Sequence, residues 1–466
     1  MIEVRDFGKT KNGEEIQEYI LKNQNGMEVH VINFGATIKN VLVPDKNGNL
    51  DDIILGFDDI AGYEKNEVAC HGAVIGRVAN RIGEGRFTLN DVEYTLDINN
   101  AGNCLHGGNN RYETKAYKAY PEEKNNSVTF KRIDPHMSQG FPGNLNLSVE
   151  YTLTEDNALV IAYEARSDKD TPLNVTNHGY YNLKGCHSMD LSSHQIMIRS
   201  HAITETDDDL LPNGNYINLT GTPMDLREMT PFLDKVEADY LPLKQGKGFD
   251  HNYVLDHEDG KPDAIVIETT TGRKMELYTD MPGVQFYTAN WLDEEEIGKG
   301  GVPHQAYGAF CLETQFYPNS CNIPHFPNTI LKEGEKFRSV TKYVFGIAEE
   351  TRSLNGNKGW TKEMIGKEKK EENDMNENTV MEDLYEEYIT FHVTAQDGSD
   401  VEMAVMEEFD YDHKHYVVGA VVKDDVIDEE GQYIYRCKVQ GDDFTAEKIT
   451  DAKEYEAVVK AYMEME

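Results

Sequence analysis

The sequence predicts a mainly β protein, a large antiparallel β-sandwich followed by a small β-sheet plus helix C-terminal domain. Three observations lead there. Alternation of apolar and polar residues at period two recurs through the first 345 residues, where helix-period apolar stripes are scarce. The alternating runs are short and separated by Gly, Asn and Asp turns, as in antiparallel strands joined by hairpins. The chain has 466 residues. That exceeds the roughly 250–300 at which one core stops growing, so a large domain and a smaller one are expected.

In chain order, MEVHVINFGATIKNVLVP supplies a first pair of strands. In RFTLNDVEYTL, Phe87 and Leu89 alternate before an Asn90, Asp91 turn, and Val92, Tyr94 and Leu96 alternate after it. The clearest hairpin is NLNLSVEYTLTEDNALVIAYEARSD. There Leu145, Leu147, Val149, Tyr151 and Leu153 lead into a TEDNA turn, and Leu159, Ile161, Tyr163 and Ala165 lead back, giving one buried face. The pattern stops near residues 345–348, which bounds a first domain at 1–350.

Residues 351–380 are polar and rich in Lys, Glu and Asn, with too little apolar surface to offset the entropy of ordering, so a flexible linker is expected. Alternation resumes with Ile389, Phe391 and Val393, a QDGSD turn, and Val401, Met403 and Val405. YVVGAVV and QYIYRCKV add two strands. DAKEYEAVVKAYMEME then reads as a helix, with Asp451 as N-cap, Glu454 three residues on, and Tyr455, Val458, Val459 and Tyr462 along one face. Residues 381–466 therefore form a small β-rich domain closed by a helix.

The formal net charge is −39, and residues 381–466 carry 24 acids against 7 Lys plus Arg. Such a field repels phosphate backbones and anionic lipid, which argues against nucleic-acid and membrane partners and for a neutral or cationic small molecule. The six cysteines, Cys70, Cys104, Cys186, Cys311, Cys321 and Cys437, show no CxxC pair and no zinc-like spacing. They read as reduced thiols. The N-terminal MIEVRDFGKT has no apolar signal core, and no stretch of about 18 apolar residues occurs, so a cytoplasmic protein is expected.

Five stretches of the large domain carry candidate chemistry. VTNHGYYNL suits a strand, yet His178 stands in its middle. IGRVANRI places Arg77 and Arg81 around an apolar pair, and each is an ordinary rim salt-bridge former unless a ligand claims it. CLHGGNN sets His106 before two glycines that suit a tight loop near a ligand. GFDHNY holds Asp250 and His251 between aromatics. In FCLETQFYP, Glu313 follows an apolar run and points inward from a strand end, where an unpartnered carboxylate costs several kcal/mol. Gln285, in MPGVQFYTAN, stands in a similar strand. No GxxxxGK[ST], strand-borne GxGxxG, GxSxG or HExxH motif is present, so no cofactor and no metal are expected. What remains is imidazole plus carboxylate, the tools of proton transfer.

Taken together and in order, GATIKNVLVPDKNG, ILGFDD, GAVIGRVANRI, NCLHGG, NHGYYNL, FDHNY, PGVQFYTAN, CLETQ and IPHFPNTILKEGE resemble the galactose mutarotase, or aldose 1-epimerase, family over residues 3–347. The resemblance implies a large antiparallel β-sandwich with an open sugar cleft and no cofactor. It implies interconversion of the α and β anomers of free aldoses such as galactose and glucose by opening and reclosing the pyranose ring. Glu313 matches the family's general base at the C1 hydroxyl, His178 the general acid at the ring oxygen, and His106 the second histidine near that oxygen. Asn80, Arg81, Asp250 and Gln285 match sugar-binding positions. Gly179 and Tyr181 depart from the commoner NHSYFNL, as does Trp291 after the TAN turn. The C-terminal domain resembles the short acidic YrzB-like proteins, which have no assigned function, and the partner of this domain is unknown. A solvated turn accounts for His413 and His415 in DHKH.

Three rival readings lie near this one. A hexose-6-phosphate epimerase needs extra cations for a dianion, and Arg77 with Arg81 is a thin supply. A glycoside hydrolase would pair Asp250 with Glu313 across a scissile bond. A non-catalytic sugar-binding protein would lack the acid or the base.

Overall fold

The structure, a computed structural model of the chain, describes residues 2–65, 69–348, 390–394, 400–411, 414–423, 426–440, 443–449 and 458. The chain divides into two compact units, Met1–Lys370 and Glu371–Glu466. The linker expected at 351–380 lies outside the described residues, as does the expected helix over 451–466 except Val458, which is helical and buried.

The first unit is built on an eight-stranded antiparallel sheet. Its order is Lys118–Glu122, Ser127–Asp134, Leu145–Leu153, Ala158–Ser167, Lys336–Ile347, Arg273–Thr279, Ala264–Glu268 and His194–Ile198. The hairpin expected at its centre forms, in register from Leu145 opposite Ser167 to Leu153 opposite Leu159. Its inward residues Leu147, Val149, Tyr151, Ile161 and Tyr163 are buried, because alternate side chains of a strand share a face. The smaller hairpin pairs Arg86–Leu89 with Val92–Thr95. Its turn residues Asn90 and Asp91 have φ of 51° and 61°, the left-handed pair that a tight two-residue turn needs. Val92, expected inward, is 50% exposed. It flanks the turn of a two-stranded ribbon, whose Phe87 and Leu89 reach the core instead.

Among the described residues, two five-stranded antiparallel sheets and four two-stranded ones accompany the eight-stranded sheet. One five-stranded sheet runs Glu3–Lys9, Glu15–Lys22, Glu28–Ile32, Thr37–Pro44, Leu50–Asp52, and the other Pro212–Asn218, Ala202–Thr206, Asp250–Val254, Gly283–Tyr287, Cys311–Gln315. Val29 and Ile38 from the first, Tyr253, Phe286 and Leu312 from the second, and Phe130, Tyr151 and Ile161 from the large sheet meet in one apolar core. Sheets that bury their apolar faces against one another make a sandwich. Each such side chain contributes about 1.5–3 kcal/mol by leaving water.

The second of these sheets positions the site. Asn252, Gln285 and Glu313 stand directly opposite one another across three strands. Opposed residues of antiparallel strands share a face, and Asp250, Cys311 and Gln315 join them two positions along. Tyr253, Val284, Phe286 and Leu312 alternate to the other face and anchor it in the core.

In the second unit, the described strands Thr390–Thr394, Asp400–Tyr411, Lys414–Lys423, Val426–Gln440 and Asp443–Lys448 form one antiparallel sheet in chain order. Tyr416, Ile434, Ile449 and Val458 are buried together. His413 lies outside the described residues, and His415 falls on the third of these strands.

Candidate active site

Three chain segments bring ionisable side chains to one wall. Glu313 is the central residue of Cys311–Gln315 rather than a strand end, and it is 2% exposed. Its Oε1 lies 3.5 Å from Nε2 of His178, while its Oε2 is buried with no hydrogen-bond partner. The His178 backbone is pinned on both sides, its N–H donating to Ala73 O at 2.9 Å and its carbonyl accepting from Gly72 N–H at 2.8 Å. Only Thr176 and Asn177 of its segment form a strand, paired with Val74–Ile75. The Cys311 thiol sits 3.7 Å from His178 Nδ1, which leaves Nε2 to face the carboxyl. Tyr180 stacks on the imidazole at 4.9 Å, and Tyr287 meets it edge-on at 6.3 Å.

His106 completes the triangle, its ring 5.4 Å from that of His178 and nearly perpendicular to it. His106 and Asn80 both hold left-handed backbone, with φ of 51° and 60°, conformations that concentrate at functional sites when the surroundings enforce them. Here mutual bonds enforce them: His106 N–H donates to Asn80 O at 2.9 Å, and Asn80 N–H donates to His106 Nδ1 at 3.2 Å. Because Nδ1 accepts, the neutral ring carries its proton on Nε2. Gly107 follows with φ of 84°, and a Cβ there would lie 2.4 Å from Gly76 O, so the loop closes only with glycine.

Asp250 and Gln285 flank Glu313. Gln285 Nε2 donates to Asp250 Oδ1 at 2.7 Å, and Gln315 Nε2 donates to Gln285 Oε1 at 3.3 Å, which fixes the amide's orientation. Arg81 is 9% exposed, and its Nε donates to Asn100 Oδ1 at 3.3 Å. Burial sets the electrostatics. It pushes the Glu313 carboxyl well above the usual carboxylate range, the Asp250 charge adds to that, and Arg81 opposes it. Burial also raises Asp250, against Arg81 and the Gln285 bond. His178 is held down at about 3 by burial and then by His71, and His106 is lowered well below its ordinary value by burial and then by His178. A carboxyl that resists ionising beside an imidazole that resists protonation is a pair able to pass one proton between them.

Residues 17–344 match the family described as aldose 1-epimerase. The chain is 38% identical to bovine galactose mutarotase over 343 residues, covering 73% of this chain and 98% of that protein. The chain belongs to the aldose 1-epimerase family. It is also 33% identical to the aldose 1-epimerase of Escherichia coli K12 over 342 residues, 72% of this chain and 97% of that one. The crystal structure of an aldose epimerase homologue from C. elegans, 29% identical, superposes with a TM-score of 0.66 over 71% of this chain and 98% of its own. Membership in this family of isomerases makes anomer interconversion of an aldose the reaction. Residues 396–466 match a protein family of unknown function, DUF1292.

Within the epimerase fold, all seven expected site residues are buried or half-buried. Arg77 departs from the expected rim role. It is 0% exposed and its Nη2 donates to Asp134 Oδ2 at 2.8 Å in a fully buried ion pair. The two departures at 179 and 181 are linked, because a Cβ at Gly179 would lie 2.7 Å from the Tyr181 ring. Trp291 is 52% exposed, with Lys247 Nζ 4.1 Å from its ring centre. Sequence reasoning passed over Tyr180, Tyr287 and Cys311, which wall in His178. Cys311 and Tyr287 occupy the Glu313 face by strand period, a signal present in CLETQ and VQFY. Tyr180 lies in irregular backbone and offered none. Among the described residues, Cys104, Cys186, Cys311 and Cys321 are free thiols, and no helix is long and apolar enough to cross a membrane.

Proposed function

We propose that this aldose 1-epimerase acts on free galactose or glucose with Glu313 as general base at the C1 hydroxyl and His178 as general acid at the ring oxygen. The observation that carries the assignment is the 3.5 Å approach of Glu313 Oε1 to His178 Nε2, which puts both groups within reach of one sugar's neighbouring O1 and O5. Glu313 takes the O1 proton as His178 gives one to O5, and the C1–O5 bond breaks to the open-chain aldehyde. Rotation about C1–C2 presents the other carbonyl face, and the same two groups run the steps backwards. No net proton is consumed. His106, with Nε2–H toward the ring oxygen, stabilises the opening ring. Asp250, Gln285, Asn80 and Arg81 hold hydroxyls. Catalysis resides in the domain at 1–350, followed by a linker at 351–380 and the acidic domain at 381–466, in a cytoplasmic protein whose thiols stay reduced. A phosphorylated hexose gains no support from Arg77, whose guanidinium is spent on Asp134.

Two outcomes test the assignment by polarimetry on freshly dissolved α-galactose. His178→Asn lowers the rate about 10²–10⁴-fold, the usual worth of one proton-transfer group. A rate within a few-fold of wild type removes His178 from that role. The second outcome is a pH profile. Burial holds His178 at about 3 and lifts Glu313 well above its ordinary value, so between these limits the pair keeps one proton in common. Rising pH strips that proton as it passes the raised Glu313 value, leaving a base without an acid, so kcat/KM falls on the alkaline side. After subtraction of spontaneous mutarotation, a kcat/KM that keeps climbing into alkaline solution contradicts the pairing.

A further inference from the structure

Tyr180 touches two histidine clusters. Its ring stacks on His178 at 4.9 Å and meets the tilted ring of His71 at 4.5 Å. His71 takes no part in the acid–base pair. Its Nε2 lies 2.5 Å from Glu296 Oε1, and Nδ1 of His304 reaches the same oxygen at 3.2 Å. Both imidazoles are 1% exposed, their rings are 4.6 Å apart, and the three ligand atoms lie within 4.8 Å of one another. Glu296 is partly exposed, next to the exposed acids Asp293, Glu294 and Glu295.

We propose that His71, Glu296 and His304 form a binding site for a zinc-class divalent cation in the wall behind the sugar cleft. Two imidazole nitrogens and one carboxylate, with a further position left open, are the donor set such an ion takes. In the metal-free protein one carboxylate oxygen faces both rings, which hold protons where a cation would sit. Nδ1 of His71 makes no hydrogen bond, so no other contact fixes that ring's tautomer. Moving its proton to Nδ1 bares Nε2 without breaking any bond except the one the metal replaces. Phe57 lies against both rings, at 5.4 and 5.7 Å, and sets their planes in a water-poor environment. Lys299, the nearby cation, is neutralised by Asp52 at 2.7 Å. The exposed acids at 293–295 offer a cation its approach. The absence of metal spacing along the sequence did not foretell this set, because its members come together only in space.

The test uses untagged full-length protein stripped with chelator, titrated with Co²⁺ by visible absorption and with Zn²⁺ by calorimetry. One saturable site is expected. Affinity falls at least tenfold in His304→Ala and in Glu296→Gln, which keeps an acceptor for both rings and, on a partly exposed residue, is the variant read if His304→Ala does not fold. Cys311→Ser removes a donor from the other buried cluster, His178, Cys311 and Glu313, and leaves the affinity as it was. Unchanged affinity in Glu296→Gln, loss of the site in Cys311→Ser, or no saturable binding by the wild type overturns the proposal.

Discussion

Glu313→Gln lowers the mutarotation rate about 10³-fold while leaving the protein at least as stable as the wild type. The activity side follows from the role assigned above, since glutamine matches glutamate in shape but cannot take the O1 proton, and a positioned base contributes about 10²–10⁴-fold. The stability side follows from the sign of the pKa shift. Burial first, and Asp250 second, raise the Glu313 carboxyl in the folded chain above its unfolded value of about 4.3. A group raised on folding contributes stability below its unfolded pKa and loses it as pH climbs through the folded one. Ionising Glu313 therefore works against the fold, and Gln is free of that cost. Polarimetry and a thermal melt on the same sample read both effects. Full activity in the variant removes Glu313 as the base, and a lowered melting point shows that its charge is better accommodated than burial implies.

Asp134→Ala destabilises the first unit by about 3–5 kcal/mol, the usual result of stripping one partner from a buried ion pair. Arg77 donates to Asp134 Oδ2 from Nε at 3.1 Å and from Nη2 at 2.8 Å, and Tyr112 OH donates to the same oxygen at 2.9 Å. Pro142 O at 2.6 Å and Thr171 Oγ1 at 3.0 Å satisfy Nη1, so the guanidinium is fully engaged and cannot turn to water. Removing the carboxylate leaves a buried cation and an orphaned phenol in the segment that presents Asn80 and Arg81. Asp134→Asn, which keeps an acceptor without the charge, falls between the two. Denaturant unfolding of the three proteins measures the differences, and a loss below about 1 kcal/mol in the alanine variant means that water reaches Arg77.

Much of the architecture was legible in the chain. The Leu145–Leu153 and Ala158–Ser167 hairpin follows from period-two alternation, because one buried face punishes any slip in register. The Asn90, Asp91 turn follows from residues that tolerate left-handed backbone. Family resemblance supplied His178, His106 and Glu313. Periodicity alone supplied none of them, since a histidine in a strand-like run is more often structural. Arg77 was misread for a physical reason: a guanidinium looks alike at a rim and in a core until its carboxylate, Asp134, is found fifty-seven positions away.

The sequence by itself determined the β class, the strand faces and the order of the motifs, because alternation and turn chemistry act over a few neighbouring residues. Tertiary structure alone decided which side chains meet. Glu313 facing His178, Asp134 closing on Arg77 and Glu296 drawing in His71 and His304 are contacts between distant segments. Sheet order and loop closure set such contacts, and so does burial, which changes what a carboxyl or an imidazole does once water is gone.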